Sequence, residues 1–281
     1  MQDITVAAIN FRAEFGQIEA NLNRIRAWTA RMAQQGAEII CFPEMSLCGY
    51  ERTDLVHSLL QPIPSPITDQ LTTLAAEYRV TLLVGLAEVD PHSQRFISQV
   101  IVTPQGLGGV YRKTHLNLPE QALFQPGDSI GVFEHSHCKL GIQLCYDAHF
   151  PELSTLQALA GAEIFFVASA SPRDNPQVKK ERMLRYLPAR AYDNGCYLVA
   201  CNLVGNGSRG QSFAGVALII NPKGEIIAEA TGWEEDFVLT RLHGHALERL
   251  HQTKMGYFLA HRRPELYAGL CRNYPTNPND G

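Results

Sequence analysis

The chain has no hydrophobic run of bilayer length: those around 164–168 and 216–220 are five residues each, and none approaches the roughly 20 a spanning helix needs. Met1-Gln2-Asp3-Ile4-Thr5 has neither a positive leader nor a following apolar stretch, so no secretory signal is expected and a cytoplasmic location is. There is no Cys-x-x-Cys pair, and the seven cysteines are an odd number at irregular spacings (41, 48, 138, 145, 196, 201, 271). Reduced thiols fit this better than a disulfide framework or structural zinc, and no bound metal is expected. Nor is positive charge in excess: 24 Lys+Arg stand against 28 Asp+Glu, a net charge of −4, with the basic residues scattered. Neither a nucleic acid nor a membrane is expected as a partner. No Gly/Ser-rich linker divides the sequence and no period of 20 to 50 residues repeats. One domain over 1–281 is expected, with 243–281 as a C-terminal tail poorly ordered at its Pro/Asn-rich tip.

What is present is an ordinary globular composition, 281 residues with 45% hydrophobic and 19% charged, enough for a sizeable core. Disorder, collagen-like repeats and coiled coil are excluded. Ile4, Val6 and Ala8 begin a strand, and Ile18, Leu22, Ile25 and Met32 recur at helical spacing up to Gly36. A strand at 37–42, a helix at 65–78 and a strand at 80–87 follow, the alternation of a layered α/β protein. Short strands at 96–102, 109–112 and 131–134 read as hairpins beside that core. The alternation resumes with strands at 140–145, 163–168 and 196–203 around helices at 152–160 and 177–192. A hairpin of 213–220 and 225–230 turns at Pro222-Lys223-Gly224, and a last strand covers 237–241.

Polar, reactive residues stand just past strand ends, where α/β proteins build their sites. They lie in Cys41-Phe42-Pro43-Glu44, Tyr111-Arg112-Lys113, Leu118-Pro119-Glu120 and Leu144-Cys145-Tyr146-Asp147. Singly, each reads equally as a solvated cap, a surface charge or a small core thiol. Together, a carboxylate, an ammonium and a thiol suffice to cleave a carbon–nitrogen bond without metal or organic cofactor. The carboxylate takes the thiol proton, the thiolate attacks carbon, and the ammonium steadies the charge that develops on oxygen.

The segments Phe42-Pro43-Glu44-Met45-Ser46-Leu47-Cys48-Gly49-Tyr50, Tyr111-Arg112-Lys113-Thr114-His115-Leu116 and Leu144-Cys145-Tyr146-Asp147-Ala148-His149-Phe150-Pro151-Glu152 resemble the three signature blocks of the nitrilase, or carbon–nitrogen hydrolase, superfamily. The resemblance extends through Ala189-Arg190-Ala191-Tyr192-Asp193-Asn194, Asn221-Pro222-Lys223-Gly224 and Arg262-Arg263-Pro264-Glu265-Leu266-Tyr267. It implies a four-layer α-β-β-α sandwich, pairing into a homodimer or larger homo-oligomer. It implies Glu44 as general base, Lys113 as cationic stabiliser, Cys145 as nucleophile and Glu120 as a second glutamate orienting the lysine. Tyr50, Tyr146, His149 and Arg173 are the expected substrate-binding residues, Arg173 falling where carbamoyl-amino-acid hydrolases of the family present arginines to a carboxylate. Tyr146-Asp147 after the nucleophile, where nitrile-hydrolysing members generally have Trp-Glu, points to a small linear amide or N-carbamoyl substrate ahead of a nitrile.

Rival patterns are weaker. Gly205-Asn206-Gly207-Ser208-Arg209-Gly210 matches G-x-G-x-x-G with Glu229 about twenty residues on, but 211–220 reads as a strand where a dinucleotide site needs a helix, so a loop at the pocket mouth is expected. His243, His245 and His251 lack a nearby completing ligand and read as surface histidines. A Cys145–His149 dyad is conceivable but spacing alone cannot support it. A non-catalytic scaffold of the same fold would be expected to have lost one of Glu44, Lys113 and Cys145.

Overall fold

In the computed structural model, residues 1–173, 175–207 and 210–268 are described. The strands, in chain order, are β1 (Ile4–Asn10), β2 (Ile39–Cys41), β3 (Thr81–Val89), β4 (Arg95–Thr103), β5 (Gly106–Arg112), β6 (Val132–Glu134) and β7 (Lys139–Leu144), then β8 (Ile164–Ser169), β9 (Tyr197–Asn202), β10 (Gly205–Asn206), β11 (Ser212–Phe213), β12 (Gly215–Ile220), β13 (Ile226–Gly232) and β14 (Asp236–Leu242). The helices are α1 (Ile18–Gln34), α2 (Pro66–Tyr78), α3 (Leu118–Gln121), α4 (Pro151–Leu159), α5 (Pro176–Leu184), α6 (Leu187–Asn194), α7 (Gly244–His251) and α8 (Pro264–Tyr267).

Two six-stranded sheets form, in the orders β14-β1-β2-β3-β4-β5 and β13-β12-β9-β8-β7-β6. Each has parallel strands at its centre and antiparallel strands outside them. The central strands are mainly apolar, and β3, β8 and β9 are almost wholly buried, because helices cover one face and the other sheet covers the opposite one. α1 and α2 pack outside the first sheet, α4 and α6 outside the second, giving four layers, α-β-β-α. Just past the ends of β1 and β9, a parallel bridge between Phe11 and Leu203 ties the two sheets together, the Phe11 N–H donating to Asn202 O at 3.3 Å and Val204 N–H to Phe11 O at 2.9 Å.

Local chemistry sets the element ends. Leu22, Ile25, Trp28 and Met32 make the buried stripe of α1, and the chain leaves the helix through Gly36 at φ 87°. Ser65 and Thr68 form a reciprocal cap at the start of α2, with Pro66 at its first position. The structure departs from the sequence reading in four places. The strands expected as hairpins beside the core are integral to it: β4 and β5 extend the first sheet, and β6 edges the second. The helix expected over 177–192 is two helices, α5 and α6, broken at Arg185-Tyr186. Pro188 has no N–H to donate and its ring excludes the carbonyl of the preceding turn. The stretch expected at 213–220 as one strand splits, Ser212–Phe213 leaving the sheet to pair with Gly205–Asn206. The stretch from 243, expected as a tail, begins with α7, whose Leu247 is buried, while 269–281 lie outside the described residues. Among the described residues no helix is long and apolar enough to cross a membrane.

Candidate active site

β2 ends at Cys41, and the chain then turns sharply through Pro43 and Glu44, with Met45 at φ 57°. Such a conformation costs a non-glycine residue on the order of 1–2 kcal/mol, and it holds only because neighbours over-determine it. Gly85 of β3 is the principal one. Its carbonyl accepts from Leu47 N–H at 2.9 Å and its N–H donates to Ser46 Oγ at 3.1 Å. A Cβ on Gly85 would lie 2.4 Å from Met45 N, 2.6 Å from Pro43 O and 2.9 Å from the Glu44 carbonyl carbon, so only glycine lets the turn lie against the strand. Gly85→Ala is expected to displace Glu44 and lower kcat on the order of 100-fold with the fold retained, checked by steady-state kinetics beside circular dichroism. Unchanged kcat would mean the turn is not held by this contact.

Lys113 leaves the end of β5, its backbone N–H donating to Ile97 O at 2.9 Å and its carbonyl accepting from Gly127 N–H at 2.8 Å. Cys145 follows β7 at φ 45°, opening a short helical turn over Cys145–His149. Asp147, fully buried, ties these two strand ends together. Its carboxylate accepts from Tyr111 OH at 2.8 Å, Thr114 Oγ1 at 3.0 Å, His115 N–H at 2.8 Å and Leu144 N–H at 2.9 Å. The relative position of Lys113 and Cys145 is thus set by one carboxylate. In the sequence Asp147 is part of the third motif, with nothing to mark this positioning role.

These three segments, with α3, bring Glu44, Lys113, Glu120 and Cys145 together. Lys113 Nζ donates to Glu44 Oε1 at 2.7 Å and to Glu120 Oε1 at 2.8 Å, with all three side chains excluded from solvent. Glu44 Oε2 accepts from Ala170 N–H at 2.9 Å. Glu120 is held by Tyr50 OH at 2.7 Å and by Asn117, whose N–H donates to Oε2 at 3.0 Å while its side chain caps α3. Two of the three ammonium N–H donors are therefore engaged, leaving one for a substrate oxygen. Burial pushes the Glu44 carboxyl up to about 6, the nearby Glu120 charge adding to this and Lys113 opposing it. Burial and the Glu44 charge push the Cys145 thiol up to about 11, against the pull of Lys113 and Lys179. The resting pair is thus a neutral thiol beside a carboxylate poised to accept its proton.

The remaining expected residues are distributed less evenly. Tyr50 is in the site, through Glu120. Tyr146 is 38% exposed and lines an open cleft of roughly 640 Å³ with His115, Phe124 and Phe150. The His149 ring lies against Tyr186 at 4.3 Å and Tyr146 at 5.7 Å, and among the described residues it makes no hydrogen bond to Cys145, as the dyad would need. The Arg173 guanidinium donates to the carbonyl of neighbouring Pro172 at 3.0 Å. The glycine-rich segment is a hairpin beside the site. Ser212 O accepts from Arg173 N–H at 2.8 Å and the Phe213 ring meets Tyr50 edge-on at 6.3 Å; Ser208 and Arg209 lie outside the described residues. His243 and His245 stand with Asp3 at the surface, where Asp3 accepts from Gly244 N–H and meets His243 Nδ1, while His251 turns away to Gly195 O.

A fold of two covered sheets with a Glu-Lys-Cys cluster at their strand ends defines a class of hydrolases, and sequence comparison agrees. Residues 5–251 match the profile of the carbon-nitrogen hydrolase family, and the chain belongs to it. It is 30% identical over 268 residues to a nitrilase of Pyrococcus abyssi, covering 94% of this chain and 99% of that one. It is 27% identical over 296 residues to an N-carbamoylputrescine amidase of Solanum tuberosum, covering 98% and 97%. The crystal structure of Saccharomyces cerevisiae Nit3, a member of branch 10 of the nitrilase superfamily, superposes with a TM-score of 0.82 at 26% identity, covering 90% of this chain and 95% of that one.

Proposed function

We propose that this carbon–nitrogen hydrolase cleaves a small linear amide or N-carbamoyl compound through a thioester on Cys145, releasing ammonia. The observation that carries the reading is the buried Lys113 ammonium, shared between Glu44 and Glu120 and lying beside a strained, partly accessible Cys145. Glu44 takes the thiol proton as sulfur adds to the carbonyl carbon. The electron pair of the C=O bond moves onto oxygen, where the free N–H of Lys113 receives it. The tetrahedral intermediate collapses with loss of the C–N bond, Glu44 passing its proton to the leaving nitrogen. A water then gives a proton to Glu44 and adds to the thioester, and the carboxylic acid departs as sulfur regains a proton. Glu120 keeps Lys113 charged and in place.

Ammonia release is the assay, run over ω-amides, N-carbamoyl amino acids, N-carbamoyl amines, aliphatic amides and nitriles. One amide or carbamoyl class should be turned over by the wild type, and Cys145→Ala should abolish that turnover while remaining folded. Turnover of nitriles alone would give the site a different substrate. Silence across the panel, with Cys145 no more reactive to iodoacetamide than the other thiols, would favour a binding or scaffold protein.

A further inference from the structure

A second lysine is buried at this site and the proposed reaction gives it nothing to do. Lys179 lies in the first turn of α5 and is 2% exposed. Among the described residues its ammonium has no hydrogen bond and no ion pair. That contrasts with Lys113, equally buried between two carboxylates, and with Lys180, which turns outward to Glu229 at 2.7 Å. The titratable groups that act on Lys179 are the Cys145 thiol and the Glu44 carboxylate, and its own charge is felt at His149. Neither site carboxylate pairs with it: the Glu44 oxygens accept from Lys113 and Ala170 N–H, and those of Glu120 from Tyr50, Lys113 and Asn117 N–H.

An unpaired ammonium withdrawn from water is costly, and it is relieved either by losing its proton or by meeting an anion. The surroundings have the matching polarity. Arg182 and Arg190 also direct positive charge at His149, so α5 and α6 bring three cations to that side chain, whereas the site carboxylates Glu44 and Glu120 are already paired with Lys113. We propose that Lys179 receives a carboxylate of the substrate, so that the favoured substrates are amides or N-carbamoyl compounds bearing a carboxylate a few atoms from the scissile bond. This rests on the reading of Cys145 as the nucleophile. It moves the carboxylate contact from Arg173, whose guanidinium is turned to Pro172 O, to a residue that no sequence motif marked. Burial pushes the Lys179 ammonium toward losing its proton, and an arriving carboxylate reverses that tendency.

The first test needs no turnover. Cys145 is alkylated with anionic iodoacetate and with neutral iodoacetamide in the wild type, in Lys179→Met and in the outward-facing control Lys180→Met. The iodoacetate-to-iodoacetamide rate ratio should fall about tenfold in Lys179→Met and hold in Lys180→Met. Equal slowing of both reagents overturns the proposal and makes Lys179 a partner of the Cys145 thiolate. The second test compares kcat/KM for succinamate and butyramide. Their ratio should favour the acid in the wild type and fall roughly 10–100-fold in Lys179→Met, the value of a charged hydrogen bond. A wild type that turns over butyramide as well as succinamate defeats the proposal but leaves the hydrolase intact, whereas silence toward every amide defeats the hydrolase reading itself. Methionine keeps the buried stem and removes the uncompensated charge, so the thermal midpoint of Lys179→Met should rise by about 2–4 °C. A lower midpoint would show a structurally paired lysine and overturn the proposal.

Discussion

Glu44→Gln is expected to lower kcat/KM by about 10²–10⁴, the span general-base catalysis contributes, while leaving a folded protein. The cause, on the proposed mechanism, is the thiol it serves. Burial pushes Cys145 up to about 11, so the thiol is protonated at neutral pH and the proposed turnover begins with a proton transfer that glutamine cannot accept. The structural cost is small. An amide oxygen can serve either Lys113 or Ala170 N–H but not both, which loses one hydrogen bond, and removing the charge relieves repulsion from Glu120. The pH profile carries the same signature. With Glu44 raised by burial to about 6, wild-type kcat/KM should fall about tenfold per unit below pH 6, where Glu44 already holds a proton. Residual activity of the glutamine variant should lack that acid limb. If Glu44→Gln kept full activity and His149→Ala lost it, a Cys–His pair would replace this mechanism.

Lys113→Met is expected to lose at least about 10³ in activity and, unlike Glu44→Gln, to destabilise the protein by about 3–5 kcal/mol. Methionine fills the space, but Glu44 and Glu120 are then two buried carboxylates with no counter-charge. Glu44, already raised by burial, would hold its proton to still higher pH once Lys113 no longer opposes the rise. Groups whose folded pKa is raised lend stability below the unfolded value and lose it as pH rises. The deficit against wild type should therefore be largest near pH 8 and shrink toward pH 5. Thermal melts across that range are the measurement; a deficit that does not change with pH would mean the two carboxylates are not what the lysine holds apart.

The contrast between Glu44 and Gly85 shows what could be read before folding. Glu44 stands in a segment whose chemistry is apparent once Lys113 and Cys145 are seen with it. Gly85 lies inside an apolar run that reads as an ordinary strand, and its function is to have no Cβ where another segment's backbone passes within 2.4 Å of the missing atom. A glycine within a strand pattern signals close approach, but not of what. Asp147 sits two residues from the nucleophile, yet its four donors come from two strand ends separated by about thirty residues of chain. The break between α5 and α6 was legible in Pro188 and was overridden by the helical spacing around it. The local pattern at 96–102 and 109–112 is that of strands, which β4 and β5 are. Their place in the first sheet depends on pairing with β3, which local pattern does not encode.

By itself the sequence determined the layered α/β class and the three segments that supply carboxylate, ammonium and thiol, because hydrophobic periodicity and reactive residues past strand ends are local properties. Tertiary structure decided which carboxylates share Lys113, which backbone N–H holds Glu44, and that Lys179 ends beside Cys145 without a partner among the described residues. Each of these depends on segments far apart in the chain meeting at one point, and on burial that removes water from them. Charge balance in a buried site is a sum over everything within reach, and only the folded chain defines that set.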